Sequence, residues 1–287
     1  MYENEITPYI NTYLETVDKS KIKDILKYSL EGGKCIRGFL VKHIIETLNP
    51  NNLHYEPITA VELIHAASLV IDDLPCMDND EMRRGKPSTF KVFGEHESIL
   101  IGLFMVSESL RILTYRMYQM EDNPDFKCKI AGKLIDYWCN LLGKNLIVGQ
   151  MMDLKGDVNL FSLSTEKKGE LKNNFSEHLM KYKTASLFSF CFIAGAAFST
   201  TSETEYNLDE FNQMGNDFGM MFQLMDDNKD KTTDDPIVNY ILAKGKSKAI
   251  EKYNEHRSSL LFLLVKNKLY TEQFKQLIQK IDTAFLS

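Results

Sequence analysis

Apolar residues recur at helical spacing along nearly the whole chain, and this periodicity restricts the fold more than any other feature of the sequence. Side chains at positions i, i+3 and i+4 share one face of an α-helix, so the pattern predicts helices that each bury one stripe. Alternation over more than five residues is rare, and we identify no convincing strands. After two shorter periodic stretches at 6–14 and 22–30, the predicted helices span residues 37–49, 57–74, 95–119, 126–153, 166–182, 184–200, 207–230 and 245–265.

Two of these helices are predicted to lie in the middle of the fold. Segments 57–74 and 95–119 are apolar around most of their circumference, as expected for the central helices of a bundle. No linker, low-complexity tract or repeat divides the 287 residues. We therefore predict an all-α fold in which residues 1–287 form one domain, a single large helical bundle around a central cavity.

Charge and composition argue against several classes of protein. The formal net charge of −6 gives no basic surface for nucleic acid. The five cysteines are odd in number and form no CxxC pair, which predicts reduced thiols rather than a zinc site or a disulfide framework. The acidic N-terminus is unlike a signal or transit peptide. The longest nearly apolar stretch, 187–198, is too short to cross a bilayer. We expect a cytoplasmic protein without a membrane span.

The strongest local signal is a cluster of carboxylates at the end of an apolar helix. Asp72 and Asp73 end the helix before Pro75, and Asp78 follows closely. Carboxylates this close repel one another unless a cation is present, and Mg²⁺ prefers oxygen ligands. A solvated acidic loop would explain one such cluster alone. The run 83–86, Arg-Arg-Gly-Lys, adds the cations that a diphosphate bound to Mg²⁺ requires.

A second acidic cluster ends another apolar helix. Asp226 and Asp230 are four residues apart, and Asp227 and Asp230 are three apart, so all three can project to one side. Like charges on one helix face are unfavourable without a counter-charge. Two such clusters, each at the end of a long apolar helix, predict a site where two or three Mg²⁺ ions are held from both walls of a cleft.

Cations and polar groups at other predicted helix ends are candidate anion ligands. The pair Gly32-Gly33 permits a tight turn before Lys34 and Arg37, at the start of a helix whose N-terminus favours anions. Taken alone, a glycine cap with solvated basic residues would explain this segment equally well. His65 lies seven residues before Asp72, on the same face, although a lone helix histidine is more often a packed core group. Polar residues also end two further helices: Gln150, Asp153, Lys183 and Thr184.

With these residues assembled, the chain resembles the trans-isoprenyl diphosphate synthase family, and most of all its geranylgeranyl and farnesyl diphosphate synthase branch. The most similar stretch is 61–96, VELIHAASLVIDDLPCMDNDEMRRGKPSTFKVFGEH. The resemblance recurs in the same order as GGKCIR at 32–37, VGQMMDL at 148–154, KT at 183–184, FQLMDDNKD at 222–230 and NYILAKGKSKA at 239–249. The paired aspartate motifs with the Arg-Arg-Gly run are highly specific.

The resemblance implies a prenyltransferase that joins an allylic diphosphate to isopentenyl diphosphate, with a role for each matching residue. Metal ligands would be Asp72, Asp73, Asp78, Asp226, Asp227 and Asp230, holding up to three Mg²⁺ ions. Catalytic residues would be Asp72, Asp73, Asp78, Lys183, Asp226 and Asp227. Arg83, Lys183, Thr184 and Gln223 would contact the allylic diphosphate, and Lys34, Arg37, His65 and Arg84 would hold isopentenyl diphosphate.

Two small residues before the first motif imply the product length. Family members that make farnesyl diphosphate usually carry bulk at the positions of Ala67 and Ser68, five and four residues before Asp72. Small side chains leave a deeper cavity, so we expect geranylgeranyl diphosphate or a longer product. The implied substrates are isopentenyl diphosphate with dimethylallyl, geranyl or farnesyl diphosphate, and the implied assembly is a homodimer.

The chain departs from the family pattern at a few positions. Cys35 and Gly38 replace the usual arginine and proline of the GGKRxRP pattern. Asn228 and Lys229 stand at usually apolar positions, and a lysine expected after Asp230 has only Lys231 as a candidate.

Two other functions are compatible with parts of the sequence. A class I terpene cyclase would need an NDxxSxxxE motif, which Asn216-Asp217 begins but Met220 interrupts. A non-catalytic regulatory subunit of a heteromeric prenyl synthase would fit the short loop after Asp230, whereas the intact aspartates argue against it.

Overall fold

The computed structural model describes residues 2–18, 20–155, 174–230 and 237–286. Helices make up most of these residues, so the predicted all-α class is confirmed. The chain divides into two compact units. The first comprises Met1–Asp136 with Ala194–Tyr206, and the second comprises Tyr137–Ile193 with Asn207–Ser287. A single synthase domain over residues 1–287 stays a prediction.

The helices follow one another along the chain with short connections. In order they are α1 (Glu3–Thr16), α2 (Lys21–Leu30), α3 (Ile36–Leu48), α4 (Tyr55–Asp72), α5 (Thr89–Phe93), α6 (Glu95–Gln119), α7 (Pro124–Tyr137), α8 (Leu146–Lys155), α9 (Phe175–Leu179), α10 (Ser186–Ser199), α11 (Leu208–Lys229), α12 (Tyr240–Lys244), α13 (Lys246–Lys266) and α14 (Glu272–Leu286). A 3₁₀ turn at Pro50–Asn52 follows α3.

The first unit is built around α4. This helix packs along α6 and against α1 and α3. Most of its apolar residues are buried, among them Ile58, Val61 and Leu63, as expected for a helix that is apolar around most of its circumference. The packing of α4 matters for function because the helix ends at the first aspartate cluster.

A short β-hairpin follows α4, and the prediction that the chain has no strands is wrong at this point. Strands β1 (Met82–Arg83) and β2 (Lys86–Pro87) pair antiparallel. Arg84 and Gly85 form the turn with φ of 54° and 76°. A two-residue hairpin turn with positive φ at both positions matches the right-handed twist of its strands, and Gly85 adopts this conformation without a steric cost. Period-two alternation is no guide to strands of two residues.

The second unit has α11 at its centre. This helix packs against α13, α14 and the turn that precedes α10. Phe188 of α10 contacts Phe218 and Phe222 of α11, with ring centroids 5.1 Å apart in each pair. Edge-on and tilted aromatic pairs of this kind add to the stability that burial provides. The packing fixes α11, whose last turn carries the second aspartate cluster.

Most predicted helices agree with the structure to within a few residues, and three differences are informative. The segment 126–153 is divided, because a π-helical stretch, Trp138–Asn145, separates α7 from α8. The predicted helix 166–182 begins outside the described residues, and α9 is followed by a second π-helical stretch, Met180–Ala185. Helix α14 is missing from the prediction, although its buried residues have helical spacing: Phe274, Leu277, Ile278, Ile281 and Phe285.

Helix α6 is the one helix in the described part of the chain that is long and apolar enough to cross a membrane. Only 44% of its most apolar window is buried within the protein. Length and composition alone do not distinguish a membrane span from a core helix of a water-soluble protein. The absence of a membrane span therefore stays a prediction.

Candidate functional site

The first aspartate cluster is organised by an ion pair. α4 ends at Asp72, and the next residue, Asp73, has a side chain that is only 2% exposed. Arg83 donates to Asp73 Oδ1 from Nε at 2.8 Å and from Nη2 at 2.5 Å, and Nη2 also lies 2.7 Å from Asp80 Oδ2. Burial raises the pKa of Asp73, and the guanidinium of Arg83 opposes that shift. The hairpin turn thus brings a cation onto the end of α4.

Asp72 and Asp78 lie closer to solvent than Asp73. Asp72 is half-buried and Asp78 is exposed. The Asp78 backbone N–H donates to the Asp72 carbonyl at 2.9 Å, which folds the chain back after the helix. Both carboxylates are therefore held near the end of α4, where the helix macrodipole disfavours negative charge and a cation would be stabilising.

Arg84 points from the hairpin toward the end of α2. Its Nη1 donates to the carbonyls of Ser29, Leu30 and Glu31 at 3.1, 3.4 and 3.1 Å. These carbonyls lack partners within the helix, so a guanidinium there satisfies them and opposes the helix dipole. A cavity of about 20 Å³, room for about one water molecule, lies beside this contact and is lined by Tyr28, Ser29, Glu31, Ala66, Leu69, Val70, Asp73, Arg83, Arg84, Lys86, Pro87, Ser88 and Thr89.

The candidate isopentenyl diphosphate residues lie around the start of α3. Lys34 is exposed and Arg37 is half-buried in the first turn. Arg37 Nη1 lies 3.2 Å from His65 Nε2. Burial and the charge of Arg37 lower the pKa of His65 well below its usual value, so the ring is neutral at pH 7 and its Nε2 accepts from Arg37. The structure brings these two predicted residues together.

Glu62 contacts the same helix start and was not predicted as a site residue. Its carboxylate Oε1 accepts from the Gly38 backbone N–H at 2.7 Å, and the residue is only 4% exposed. The available signal was an acidic residue in the middle of an apolar stretch of helix, because a carboxylate is rarely buried without a partner.

Two sets of hydrogen bonds join the candidate residues of the second unit. Lys183 Nζ donates to Asp153 Oδ2. Thr184 Oγ1 donates to Gln223 Oε1 at 2.6 Å, and Gln223 Nε2 donates to Asp227 Oδ1 at 2.8 Å. Lys183 and Thr184 lie on the π-helical stretch Met180–Ala185, a rare geometry that is frequent at functional sites.

Asp227 is fixed by residues that the sequence analysis assigned no role. It is 3% exposed, and its Oδ2 accepts from the Tyr240 backbone N–H at 2.8 Å. Asn239 Nδ2 donates to the Asp227 carbonyl at 2.8 Å, and Asn239 Oδ1 accepts from the first amides of α12. Asn239 and Tyr240 begin the segment NYILAKGKSKA, which is part of the family resemblance. The resemblance does not indicate that these two residues contact Asp227.

The other two aspartates of the second cluster lie nearer to solvent. Asp226 has a side chain that is 33% exposed, and its Oδ1 lies 3.6 Å from Lys229 Nζ. Asp230 caps α11 and is exposed. Lys229 therefore stands beside the cluster as a cation. Lys231, the candidate for the missing family lysine, lies outside the described residues.

A cavity of about 200 Å³ opens beside these residues in the second unit. Its polar lining consists of the Lys183–Asp153 ion pair and of the hydrogen-bonded side chains of Thr184, Gln223 and Asp227, and apolar side chains form the rest of the lining. The lining residues are Asp153, Leu179, Met180, Lys183, Thr184, Gln223, Asp227 and Val238. A lysine, a hydroxyl and two carboxylates around one opening suit a ligand that carries phosphate and metal together.

No group of three or more His, Cys, Asp or Glu side chains converges as a preformed metal centre in the parts of the chain that the structure describes. Mg²⁺ usually takes only one or two protein carboxylates and completes its shell with water and substrate phosphates. The donor chemistry therefore fits magnesium that enters with a diphosphate. Asp72 and Asp226, each at a helix end and not fully buried, are suitable ligands.

The two residues proposed to set product length lie in the last turns of α4. Ala67 is 2% exposed. Ser68 Oγ donates to the His65 carbonyl at 3.0 Å. Neither lines the two cavities described above.

Comparison with known proteins establishes the family. The family model for polyprenyl synthetases matches residues 19–284. The chain belongs to the polyprenyl synthetase family. Its match to a farnesyl diphosphate synthase of Bacillus subtilis is 31% identical and covers 76% of this chain and 69% of that protein. Its match to the mitochondrial geranylgeranyl pyrophosphate synthase 6 of Arabidopsis thaliana is 33% identical and covers 74% of this chain and 60% of that protein.

Solved structures of the family have the same fold. An isoprenoid synthase family member from Thermotoga neapolitana superposes with a TM-score of 0.76 at 26% identity, covering 98% of this chain and 99% of that one. A geranyltranstransferase from Thermotoga maritima gives a TM-score of 0.74 at 26% identity and covers 99% and 98%. The isoprenoid synthase fold is thereby confirmed, and trans-prenyltransferase is the enzyme class that these likenesses support.

Proposed function

We propose that this polyprenyl synthetase transfers an allylic prenyl group to isopentenyl diphosphate in a reaction that depends on Mg²⁺. The observation that carries the proposal is the end of α4, where the buried Asp73 is paired with Arg83 beside the more exposed Asp72 and Asp78. Fixed carboxylates for metal next to a guanidinium for phosphate are the combination that a magnesium diphosphate needs.

The six motif aspartates would hold magnesium, and the cations would hold the two diphosphates. The proposed ligands are Asp72, Asp73, Asp78, Asp226, Asp227 and Asp230. Bound Mg²⁺ would neutralise the charge that develops on the departing diphosphate. Arg83 and Lys183 would add fixed positive charge at the allylic diphosphate, with Thr184 and Gln223 as hydrogen-bonding partners.

The remaining steps belong to the substrates, and the protein orients them. Departure of diphosphate leaves an allylic cation, which the double bond of isopentenyl diphosphate attacks to form the new carbon–carbon bond. Loss of a proton to the released diphosphate gives a product longer by one five-carbon unit. Lys34, Arg37, His65 and Arg84 would bind and orient isopentenyl diphosphate, and a dry site would prevent water from capturing the cation.

Geranylgeranyl diphosphate is the product that the small side chains favour. Ala67 and Ser68 provide little bulk below the first aspartate cluster, so a growing chain would meet less obstruction there. The relatives named as farnesyl and as geranylgeranyl diphosphate synthases have nearly the same sequence identity to this chain. Farnesyl diphosphate is therefore the second candidate product.

A homodimer is the assembly that we expect, and the cytoplasm stays the predicted location. One face of α6 carries large apolar side chains with exposed fractions of 64% for Leu100, 61% for Leu103 and 53% for Tyr118. Large exposed apolar side chains that share one helix face favour an interaction surface, and a second copy of the chain would cover it. Light scattering of the purified chain should give the mass of two copies. The mass of one copy would contradict the dimer.

Incubation of the purified chain with isopentenyl diphosphate and each allylic diphosphate tests the activity. We expect products longer by whole five-carbon units in mass spectra, formed only with Mg²⁺ and ending at twenty carbons. Products that end at fifteen carbons would replace the geranylgeranyl assignment but keep the activity. Absence of any extended product with every primer would contradict the proposed function and favour a regulatory subunit.

A further inference from the structure

The first turn of α3 is capped by a residue from another helix. The helix begins after Cys35, which has a left-handed φ of 51° and forms no capping hydrogen bond with its side chain. A capping side chain normally accepts from the second or third amide of the helix. Here the third amide, that of Gly38, donates instead to Glu62 Oε1 at 2.7 Å. The Cys35 thiol is directed away, toward the Gly33 carbonyl at 3.5 Å.

Gly38 is the residue that permits this contact. A Cβ at position 38 would lie 3.1 Å from Glu62 Oε1, 3.2 Å from Glu62 Cγ and 2.9 Å from Ile6 Cγ2. Those distances are too short for a side chain to fit without displacing its neighbours. A proline would in addition have no N–H to donate. The capping contact thus depends on the two residues together.

α4 holds the first turn of α3 at two points, one helical turn apart. Glu62 accepts from the Gly38 amide, and His65, three residues later on the same face of α4, contacts Arg37 at 3.2 Å. Glu62 is a buried carboxylate, and burial raises its pKa while the Gly38 amide and Arg37 oppose that shift. The contact also places an acidic side chain at the positive end of the α3 dipole, which favours its ionised form.

We infer that Glu62 is a positioning residue for isopentenyl diphosphate: by capping α3 through the Gly38 amide it fixes the turn that presents Lys34 and Arg37. Glu62 itself touches no phosphate in this account. The inference rests on the proposed function, because it assigns Lys34 and Arg37 to isopentenyl diphosphate. It predicts a selective effect on one of the two substrates.

Steady-state kinetics of Glu62→Leu and Glu62→Gln separate positioning from a general structural role. In Glu62→Leu the buried amide loses its acceptor, so we expect KM for isopentenyl diphosphate to rise about tenfold while KM for the allylic diphosphate changes by less than about twofold. In Glu62→Gln the amide oxygen can still accept, so KM should stay within about threefold of the wild-type value. Equal changes in both KM values, or no change in Glu62→Leu, would overturn the inference.

Glu56→Leu is the matched control. Glu56 is also a buried carboxylate on α4, 7% exposed, but it lies in the first turn of that helix, away from the start of α3. We expect its substitution to alter thermal stability without a selective change in KM for isopentenyl diphosphate. A selective change as large as that of Glu62→Leu would show that loss of any buried carboxylate from α4 has this effect, and would overturn the inference.

Gly38→Pro tests the donor side of the contact. We expect the same selective rise in KM. Glu62→Ala, which removes the acceptor and leaves room beside position 38, should give a similar rise, and the double variant Glu62→Ala/Gly38→Pro should be no more impaired than the more impaired single variant, because both changes break one contact. Multiplied effects in the double variant would mean that the two residues act independently, against the inference.

Direct binding distinguishes failure of the inference from failure of the proposed function. If the wild-type chain makes no product, calorimetry with isopentenyl diphosphate alone still compares it with Glu62→Leu. Binding that is about tenfold weaker in the variant supports the positioning role. Equal binding by both proteins, or none by the wild-type chain, overturns it.

Discussion

At the scale of single residues, the two aspartate clusters each contain one buried carboxylate that the fold has fixed. Asp73 is 2% exposed and paired with Arg83, and Asp227 is 3% exposed and accepts from Gln223 and Tyr240. Their neighbours Asp72 and Asp226 are less buried. The sequence identified all of these aspartates as candidates because their spacing is visible. It could not identify Tyr240 as a partner of Asp227, because a backbone amide leaves no residue-specific signal.

The Asp73–Arg83 pair predicts different outcomes for two aspartate substitutions. Asp73→Asn should lower kcat by about 10²–10³-fold, a loss typical of removing one electrostatic group from a catalytic site. It should also lower the free energy of unfolding by about 1–2 kcal/mol, since Arg83 loses the negative charge of its buried partner. Asp80→Asn is the control: its side chain is 52% exposed, so the stability should change by about 1 kcal/mol or less. Equal kinetic effects of the two substitutions would contradict this role for Asp73.

Ala67 tests the account of product length. Ala67→Phe should shorten the final product by at least one five-carbon unit, because a ring would occupy the space that the growing chain needs. Ala67 is 2% exposed, so overpacking should also cost about 1–3 kcal/mol of stability. Mass spectra of the products, with melting curves for both proteins, measure the two effects. Ala67→Gly is the control and should not shorten the product. An unchanged product from a folded Ala67→Phe protein would contradict the assignment.

At the scale of elements, helix ends and the turns beyond them present most of the candidate site. α4 and α11 end at the aspartate clusters, α3 begins beside Lys34, and a π-helical stretch carries Lys183. Periodicity predicted the long helices well because each buries a stripe. It missed the π-helical stretches because they are too short to establish a period of their own. It missed the hairpin because two-residue strands have no period.

The hairpin turn makes a prediction about two glycines. A Cβ would meet nothing within 4 Å at Gly85 or at Gly132 of α7, so only backbone conformation distinguishes the two sites. Gly85 has a φ of +76°, and Gly85→Ala should therefore destabilise the protein by about 1 kcal/mol. Gly132→Ala, in a helix interior, should stabilise it by about 0.5–1 kcal/mol. Denaturant unfolding of both variants measures the difference, and a stabilised Gly85→Ala protein would contradict the turn geometry.

At the scale of the whole molecule, the fold class and the family could be predicted from the sequence. The division into two compact units and the long-range hydrogen bonds could not. The aspartate motifs occur in the expected order, and the family match covers residues 19–284. The boundary between the two compact units cannot be recognised in the sequence, which has no linker, glycine-rich tract or change in composition there. One of the boundaries falls inside helix α10. Long-range hydrogen bonds such as Gly38–Glu62 were equally invisible, since they depend on which helices become neighbours.

Buried histidines predict how stability depends on pH. Burial lowers the pKa of His43, and His54 and His65 are shifted in the same direction. As the pH falls below their usual pKa of 6.5, these side chains are protonated in the unfolded chain while they are still neutral in the folded protein. Their contribution is therefore present above pH 6.5 and is lost as the pH falls through the lower folded values. His43→Gln should reduce the loss of unfolding free energy between pH 7 and pH 5.5, and an unchanged slope would contradict this.

The dependence of turnover on Mg²⁺ concentration, compared between wild type, Asp72→Asn and Asp226→Asn, tests the central claim most directly. If both aspartate clusters serve one magnesium-dependent reaction, each substitution should lower kcat and raise the Mg²⁺ concentration needed for half-maximal turnover. If either variant keeps the wild-type kcat and the wild-type Mg²⁺ requirement, the two clusters do not serve one metal-dependent reaction, and the account is contradicted.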